Sequence, residues 1–170
     1  IPLRLVGSEM CIRDSGTAST SQANTLAAAT SGVVTATLSD GDLSTLAGLT
    51  ETGNAYSITI SDTSVDAAAL NTLDGKTTVA IDAANITTLT GAAADLNTAY
   101  ASAGISNLGD EAVTLSDTTL AASVLNTLDG NTSGTVNAGT VSTLTGAAAD
   151  INTCLLYTSD AAHDIQCVDL

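Results

Sequence analysis

The chain has no Phe and no Trp, and aromatic residues make up 2% of its 170 positions. A core assembled around large rings is therefore excluded, and Ala, Thr, Leu and Ser must fill the interior. Lys and Arg together number 3 against 18 Asp and Glu, a formal net charge of −15. That balance argues against nucleic acid, which is bound by displacing counterions with basic side chains, and against anionic membrane surfaces. No run of about twenty apolar residues is present, so no spanning helix and no membrane insertion are expected. Arg4, Glu9, Arg13 and Asp14 interrupt any signal-peptide core near the start, and an export signal is expected outside this stretch of chain.

Between Gly16 and Thr153 there is no His, Cys or Arg, and Lys76 is the one basic residue. Ser and Thr hydroxyls are abundant, yet no base stands ready to activate them, so no catalytic residue is assigned and no enzyme is expected. No cofactor-binding residue is assigned either. Every unusual residue type sits at the ends: Pro2, Arg4, Met10, Cys11 and Arg13 on one side, Cys154, His163 and Cys167 on the other. The last three lack CxxC or HxxxH spacing, and a metal cluster is not read from them.

Val6-Gly-Ser-Glu-Met-Cys-Ile-Arg-Asp-Ser15 looks like a translated transposase-type sequencing adapter, and Cys154-Leu-Leu-Tyr-Thr-Ser-Asp-Ala-Ala162 looks like the inverted copy of the same DNA element. The expected organisation is therefore 1–15 and 154–170 as adapter-derived, non-native ends that pack poorly, around a repeat array at 16–153 that is a fragment of a longer protein.

What the middle does contain is repetition. Ser61-Asp-Thr-Ser-Val-Asp-Ala-Ala-Ala-Leu-Asn-Thr-Leu-Asp-Gly75 returns further along as Ser116-Asp-Thr-Thr-Leu-Ala-Ala-Ser-Val-Leu-Asn-Thr-Leu-Asp-Gly130. Leu89-Thr-Gly-Ala-Ala-Ala-Asp-Leu-Asn97 returns at the same interval with Ile for its second Leu, as Leu144 to Asn152. Short apolar segments are centred on Leu38, Ile60, Ile81, Leu115 and Val136, at near-equal steps apart from one longer step between Ile81 and Leu115. A unit of about 21 residues inside a 55-residue super-repeat falls within the range of solenoids.

Each of these segments reads as a short strand. Leu70 with Leu73, and Leu125 with Leu128, continue at helical spacing through Ala-rich sequence. Gly75 and Gly130 fit a left-handed helix C-cap or a turn. The expected fold is an α/β solenoid of about five short parallel strands and short helices, with a β-solenoid as the alternative suggested by the Thr content.

Asp40, Asp62 and Asp117 stand at strand ends, where a carboxylate oxygen accepts hydrogen bonds from unpaired helix N–H groups. The sharper reading of these three is a ladder of calcium ligands. Ca²⁺ wants six or more oxygens and the Gly-Gly-x-Gly-x-Asp repeat is absent, so capping is the expectation and no metal or cofactor is assigned. In the longer unit, Tyr100 and the pair Asp110 and Glu111 form a candidate contact site, weighed against a longer helix with a capped turn and solvated acids.

The Leu-Asn-Thr-Leu-Asp-Gly and Ala-Ala-Asp-Leu-Asn words resemble repeats of very large bacterial cell-surface proteins, notably those of marine cyanobacteria. They are also similar to the Glu-Leu-Asn-x-Leu-Asp-Gly words of phage tail fibres, with Ala69 and Val124 here in the Glu position. The resemblance implies an extracellular spacer or adhesive array whose partners are neighbouring repeats and cell-surface or extracellular polymers. A tail-fibre segment and a calcium-dependent module are the alternatives.

Overall fold

The computed structural model describes residues 13–157, with side chains from 17 to 154. In chain order the elements are β1 (Arg13–Ala18), α1 (Thr20–Ala28), β2 (Thr35–Leu38), α2 (Leu43–Leu46), β3 (Ala55–Ser57), β4 (Ser64–Asp66), α3 (Ala67–Asp74), β5 (Ile81–Asp82) and β6 (Thr88–Gly91). They continue with α4 (Ala93–Ala101), β7 (Ile105–Ser106), β8 (Ala112–Leu115), β9 (Thr119–Ala121), α5 (Ala122–Asp129), β10 (Val136–Asn137), β11 (Thr143–Thr145) and α6 (Ala148–Tyr157). The protein is thus mixed α/β, with short strands in several small sheets. Every strand pairing among the described residues is parallel.

The register carries the periodicity. Thr35 faces Ala55, close to the interval expected from the sequence. Further along, Ser64 faces Thr88, Thr88 faces Ala112, and Thr119 faces Thr143. Each of these pairs shares the separation of 24 residues that joins the Thr87 hydroxyl to the Thr63 carbonyl. Among the described strand pairings the shorter repeat length holds only along β1, β2 and β3. The five centres read from the sequence also do not form one column: Ile81 pairs with Ile105 and Val136 with Val113. Strands of two to four residues show too little alternation to be separated from turns, which is why β4, β6, β7, β9 and β11 are not legible in the sequence.

The core is thin and aliphatic. Val65, Leu89, Val113 and Val136 lie in one register column and are each buried, as are Ile58, Ile81 and Ile105 along a neighbouring one. Helices contribute Leu70, Leu73, Leu96, Leu125 and Leu128. Burying each such side chain is worth about 1.5–3 kcal/mol, and these aliphatic side chains stand in for the missing aromatic centre.

Glycine works elsewhere than expected. Gly75 and Gly130 are right-handed C-caps at φ −65° and −72°. The left-handed side of the map is occupied at Gly91 (φ 138°) and Gly146 (φ 131°), in the two Leu-Thr-Gly words. There the strand turns directly into a helix, and a Cβ would be strained by the backbone alone.

The ends differ from the expectation in two particulars. Arg13, assigned to the first poorly packed end, pairs with Thr35 in β1. Cys154, assigned to the second, has 0% exposure. It is the counterpart, one super-repeat on, of Ala99, itself buried on the inner face of α4, and a thiol behaves there as a small apolar side chain. His163 and Cys167 lie outside the described residues.

Candidate functional site

Among the described residues, many side-chain hydrogen bonds join segments about 20 to 28 residues apart. Asp40 Oδ2 accepts the Thr20 N–H at 2.7 Å, Asp62 Oδ2 accepts Leu43 N–H at 2.7 Å, and Asp117 Oδ2 accepts Ala93 N–H at 2.7 Å. The three calcium candidates are therefore helix caps, but each serves the helix 19 to 24 residues earlier rather than the one that follows it. Local caps add to this at Ser19, which forms a reciprocal box with Gln22, and at Asp42 and Asp66. Ala92 and Ala121 precede α4 and α5 without a side-chain bond, so α4 depends on Asp117. At the corresponding position in the other half-repeat, Gly91 and Gly146 approach the starts of α3 and α5.

A second ladder joins the helices. Asn24, Asn71, Asn97 and Asn126 donate Nδ2 to the carbonyls of Gly48 (2.7 Å), Asp95 (2.9 Å), Val124 (3.3 Å) and Asp150 (3.0 Å). The Asn-Thr-Leu word is visible as a repeat, but its role depends on a neighbour 24 to 27 residues away. The Thr of each word turns back on its own helix: Thr72 Oγ1 bonds the Ala68 carbonyl and Thr127 Oγ1 the Ser123 carbonyl.

The Tyr100, Asp110 and Glu111 group is the one acidic candidate whose surroundings differ from those expected. Asp110 is exposed, whereas Glu111 is 1% exposed. Glu111 Oε2 accepts the Tyr100 hydroxyl at 3.2 Å and the Gly109 N–H at 2.9 Å, while Oε1 is buried with no donor. Thr132 Oγ1 donates to the Glu111 carbonyl at 2.7 Å and closes the corner from the next turn. Burial pushes the Tyr100 phenol well above its ordinary range; the Thr132 bond pulls it down and the Glu111 charge pushes it up.

One super-repeat earlier the same corner is built on Tyr56, with Thr77 Oγ1 on its carbonyl at 2.7 Å. The repeat thus has an inward position for a large side chain, and that position, rather than the acidic pair, decides where Glu111 goes. The expected longer helix is also replaced: α4 ends at Ala101 and the extra residues form β7.

No family model, no curated protein and no solved structure matches the chain. Among the described residues no group of three or more His, Cys, Asp or Glu is placed to hold a metal ion, and no helix is long and apolar enough to cross a membrane. The Glu111 corner offers one carboxylate and one phenol held protonated, an arrangement suited to locking two turns together. Asp82 is held below the usual carboxylate range by the Asn107 side chain and then by the Ala84 N–H, again between turns in the first case.

Open clefts lie along helix faces among the described residues. One, about 510 Å³, is lined by Asn71, Asp74, Asn97, Thr98, Ala101 and Ser102. The other, about 480 Å³, lies beside Asn24 and Asp40. Neither is signalled by the sequence beyond the repeated Asn-Thr-Leu-Asp word.

Proposed function

We propose that this chain is a structural, non-enzymatic segment of a large extracellular surface protein, an α/β solenoid that acts as a spacer or contact array. The observation that supports this most is where the polar residues of the repeated words are spent. Asp40, Asp62, Asp117 and the four ladder asparagines all bond to backbone groups in an adjacent turn. Such contacts join nearest neighbours only, so stability and length grow together as turns are added. The excess of acidic side chains keeps a long array soluble and self-repelling.

Small-angle scattering on one, two and three tandem copies of the super-repeat tests the reading. With parallel strands about 4.8 Å apart and a little over two turns per unit, the longest dimension should rise by roughly 10 Å per copy. Growth of all dimensions together, as in a compact globule, would refute it. Light scattering on the same samples should give monomers; an obligate trimer would favour the tail-fibre alternative.

A further inference from the structure

The words Leu89–Asn97 and Leu144–Asn152 differ only by Ile151 for Leu96, and their backbone repeats as well: Gly91 and Gly146, at φ 138° and 131°, each stand between a short strand and a helix. The earlier copy is covered. β8 pairs with β6 and sets Val113 against Leu89. The Ala112 N–H donates to the Thr87 carbonyl and the Ser116 N–H to the Gly91 carbonyl, both at 3.0 Å, and Asp117 Oδ2 accepts the Ala93 N–H at 2.7 Å. Under that cover Leu89, Ala93 and Leu96 are each 0% exposed. At the later copy β11 pairs with β9 on one side, and among the described residues no strand takes the other. Leu144 and Ile151 are half-buried there, and Ala148 is exposed. Ala147, just before α6, has no side-chain oxygen to offer the Ala148 N–H.

We propose that the open face made by β11 and the first turn of α6 is a docking surface for a further copy of the super-repeat, which enters it as a parallel strand with the sequence pattern of Ala112-Val-Thr-Leu-Ser-Asp117 and caps α6 with its Asp. The occupant is read from the covered copy, where a face of the same residues and the same turn already takes residues 112–117. That segment belongs to the repeat: Ser57-Ile-Thr-Ile-Ser-Asp62 stands one super-repeat earlier, and Asp62, like Asp117, accepts an N–H from the preceding helix at 2.7 Å. Main-chain bonds along the free edge hold an added strand, and its inward side chains select it. The carboxylate meets the positive end of α6. β8 of a second folded chain is not free to enter, because it is already paired with β6 and β10. This inference rests on the spacer reading and names the surface through which the array grows.

The test is a chemical-shift titration of the ¹⁵N-labelled chain with a synthetic peptide of residues 110–130, beside a peptide of the same composition in scrambled order. Saturable shifts are expected at the Leu144, Thr145, Gly146 and Ala148 amides and none at Leu89 or Ala93, whose face is occupied; the scrambled peptide should give none. Asp117→Ala in the peptide should weaken binding about tenfold, the scale of one helix cap, and leaves the chain itself untouched. In the chain, Ala148→Glu keeps an acid in the first turn of a helix, where it is tolerated, and should abolish binding, because its counterpart Ala93 is fully covered. Ala149→Glu is the control: Ala149 and its counterpart Ala94 are both exposed, so binding should stay within about twofold. Shifts that do not saturate, equal binding of the scrambled peptide, or equal effects of the two Glu substitutions would overturn the proposal. Sedimentation should show a monomer; a dimer that Ala148→Glu dissolves would also overturn it, by giving the face to a second folded chain. Peptide binding beside tandem copies that fail to lengthen would leave the docking surface standing and remove the spacer reading.

Discussion

Truncating Asp117 to Ala removes the side-chain acceptor at the start of α4. Its Oδ2 lies 2.7 Å from the Ala93 nitrogen, and Ala92, the N-cap residue, supplies no side-chain bond. The first turn of α4 carries Ala93 and Leu96, both 0% exposed, so fraying there uncovers core as well as backbone. Loss of a helix cap costs about 0.5–2 kcal/mol, and loss of a charged acceptor to a half-buried N–H about 1.5–3 kcal/mol. We expect Asp117→Ala to destabilise by about 2 kcal/mol, within those two ranges.

Asp62→Ala removes the same kind of bond from Leu43, but α2 keeps the Asp42 carboxylate on the Thr45 N–H at 3.0 Å. Its cost should be about 1 kcal/mol or less. Asp117→Asn, which keeps an acceptor and loses the charge, should fall between wild type and Asp117→Ala. Urea unfolding followed by far-ultraviolet circular dichroism, with equal slopes for all variants, measures the difference. Equal destabilisation by Asp117→Ala and Asp62→Ala, or no destabilisation by the former, would refute the claim that caps are supplied from the adjacent turn.

Three further outcomes follow from the same geometry. Gly91→Ala forces φ 138° on a residue with a Cβ and should cost about 1–3 kcal/mol, whereas Gly75→Ala at φ −65° should be neutral or stabilising by up to about 1 kcal/mol; thermal melts of the two variants check the contrast. Each of Asp40, Asp62 and Asp117 has an oxygen already committed to a backbone N–H, so the melting temperature should be the same in calcium and in chelator, and a rise with calcium would restore the ligand-ladder reading. The Tyr100 phenol is raised from 10.0 by burial, so its contribution is complete below about pH 10 and is lost as pH rises toward the folded value; urea midpoints from pH 8 to 11 should fall less steeply for Tyr100→Phe than for wild type.

What the sequence makes legible is local. Leu70 and Leu73 at helical spacing, ended by Asp-Gly, mark α3, and their copies mark α5. The short parallel strands are likewise visible where an apolar residue stands between Thr and Ser, as at Leu38 and Leu115. The interval between strands is not legible, because the pairing distance along the chain is set by how the intervening helix and turns fold back, and two-residue strands carry no period of their own. The site follows the same division. Asp117 can be read as a cap from its residue type, but the identity of the capped helix is a long-range fact. Glu111 reads as a solvated acid because its neighbour Asp110 is one; its burial depends on the inward position that Tyr56 occupies in the preceding repeat. That Asn71 Oδ1 is buried without a donor while Asn97 Oδ1 takes the Asn131 side-chain amide is a long-range fact of the same kind.

Backbone bonds join segments about 25 residues apart along the chain, and hydrogen-bond scalar couplings measure those bonds directly. Couplings are expected from the Thr88 N–H to the Thr63 carbonyl, from Ala112 N–H to Thr87, and from Ser116 N–H to Gly91, pairs that stand at 3.0 Å. Observation of all three would establish parallel turns stacked at intervals of about 24 residues. Couplings from these same amides to carbonyls four residues earlier, or to antiparallel partners across a local hairpin, would contradict it.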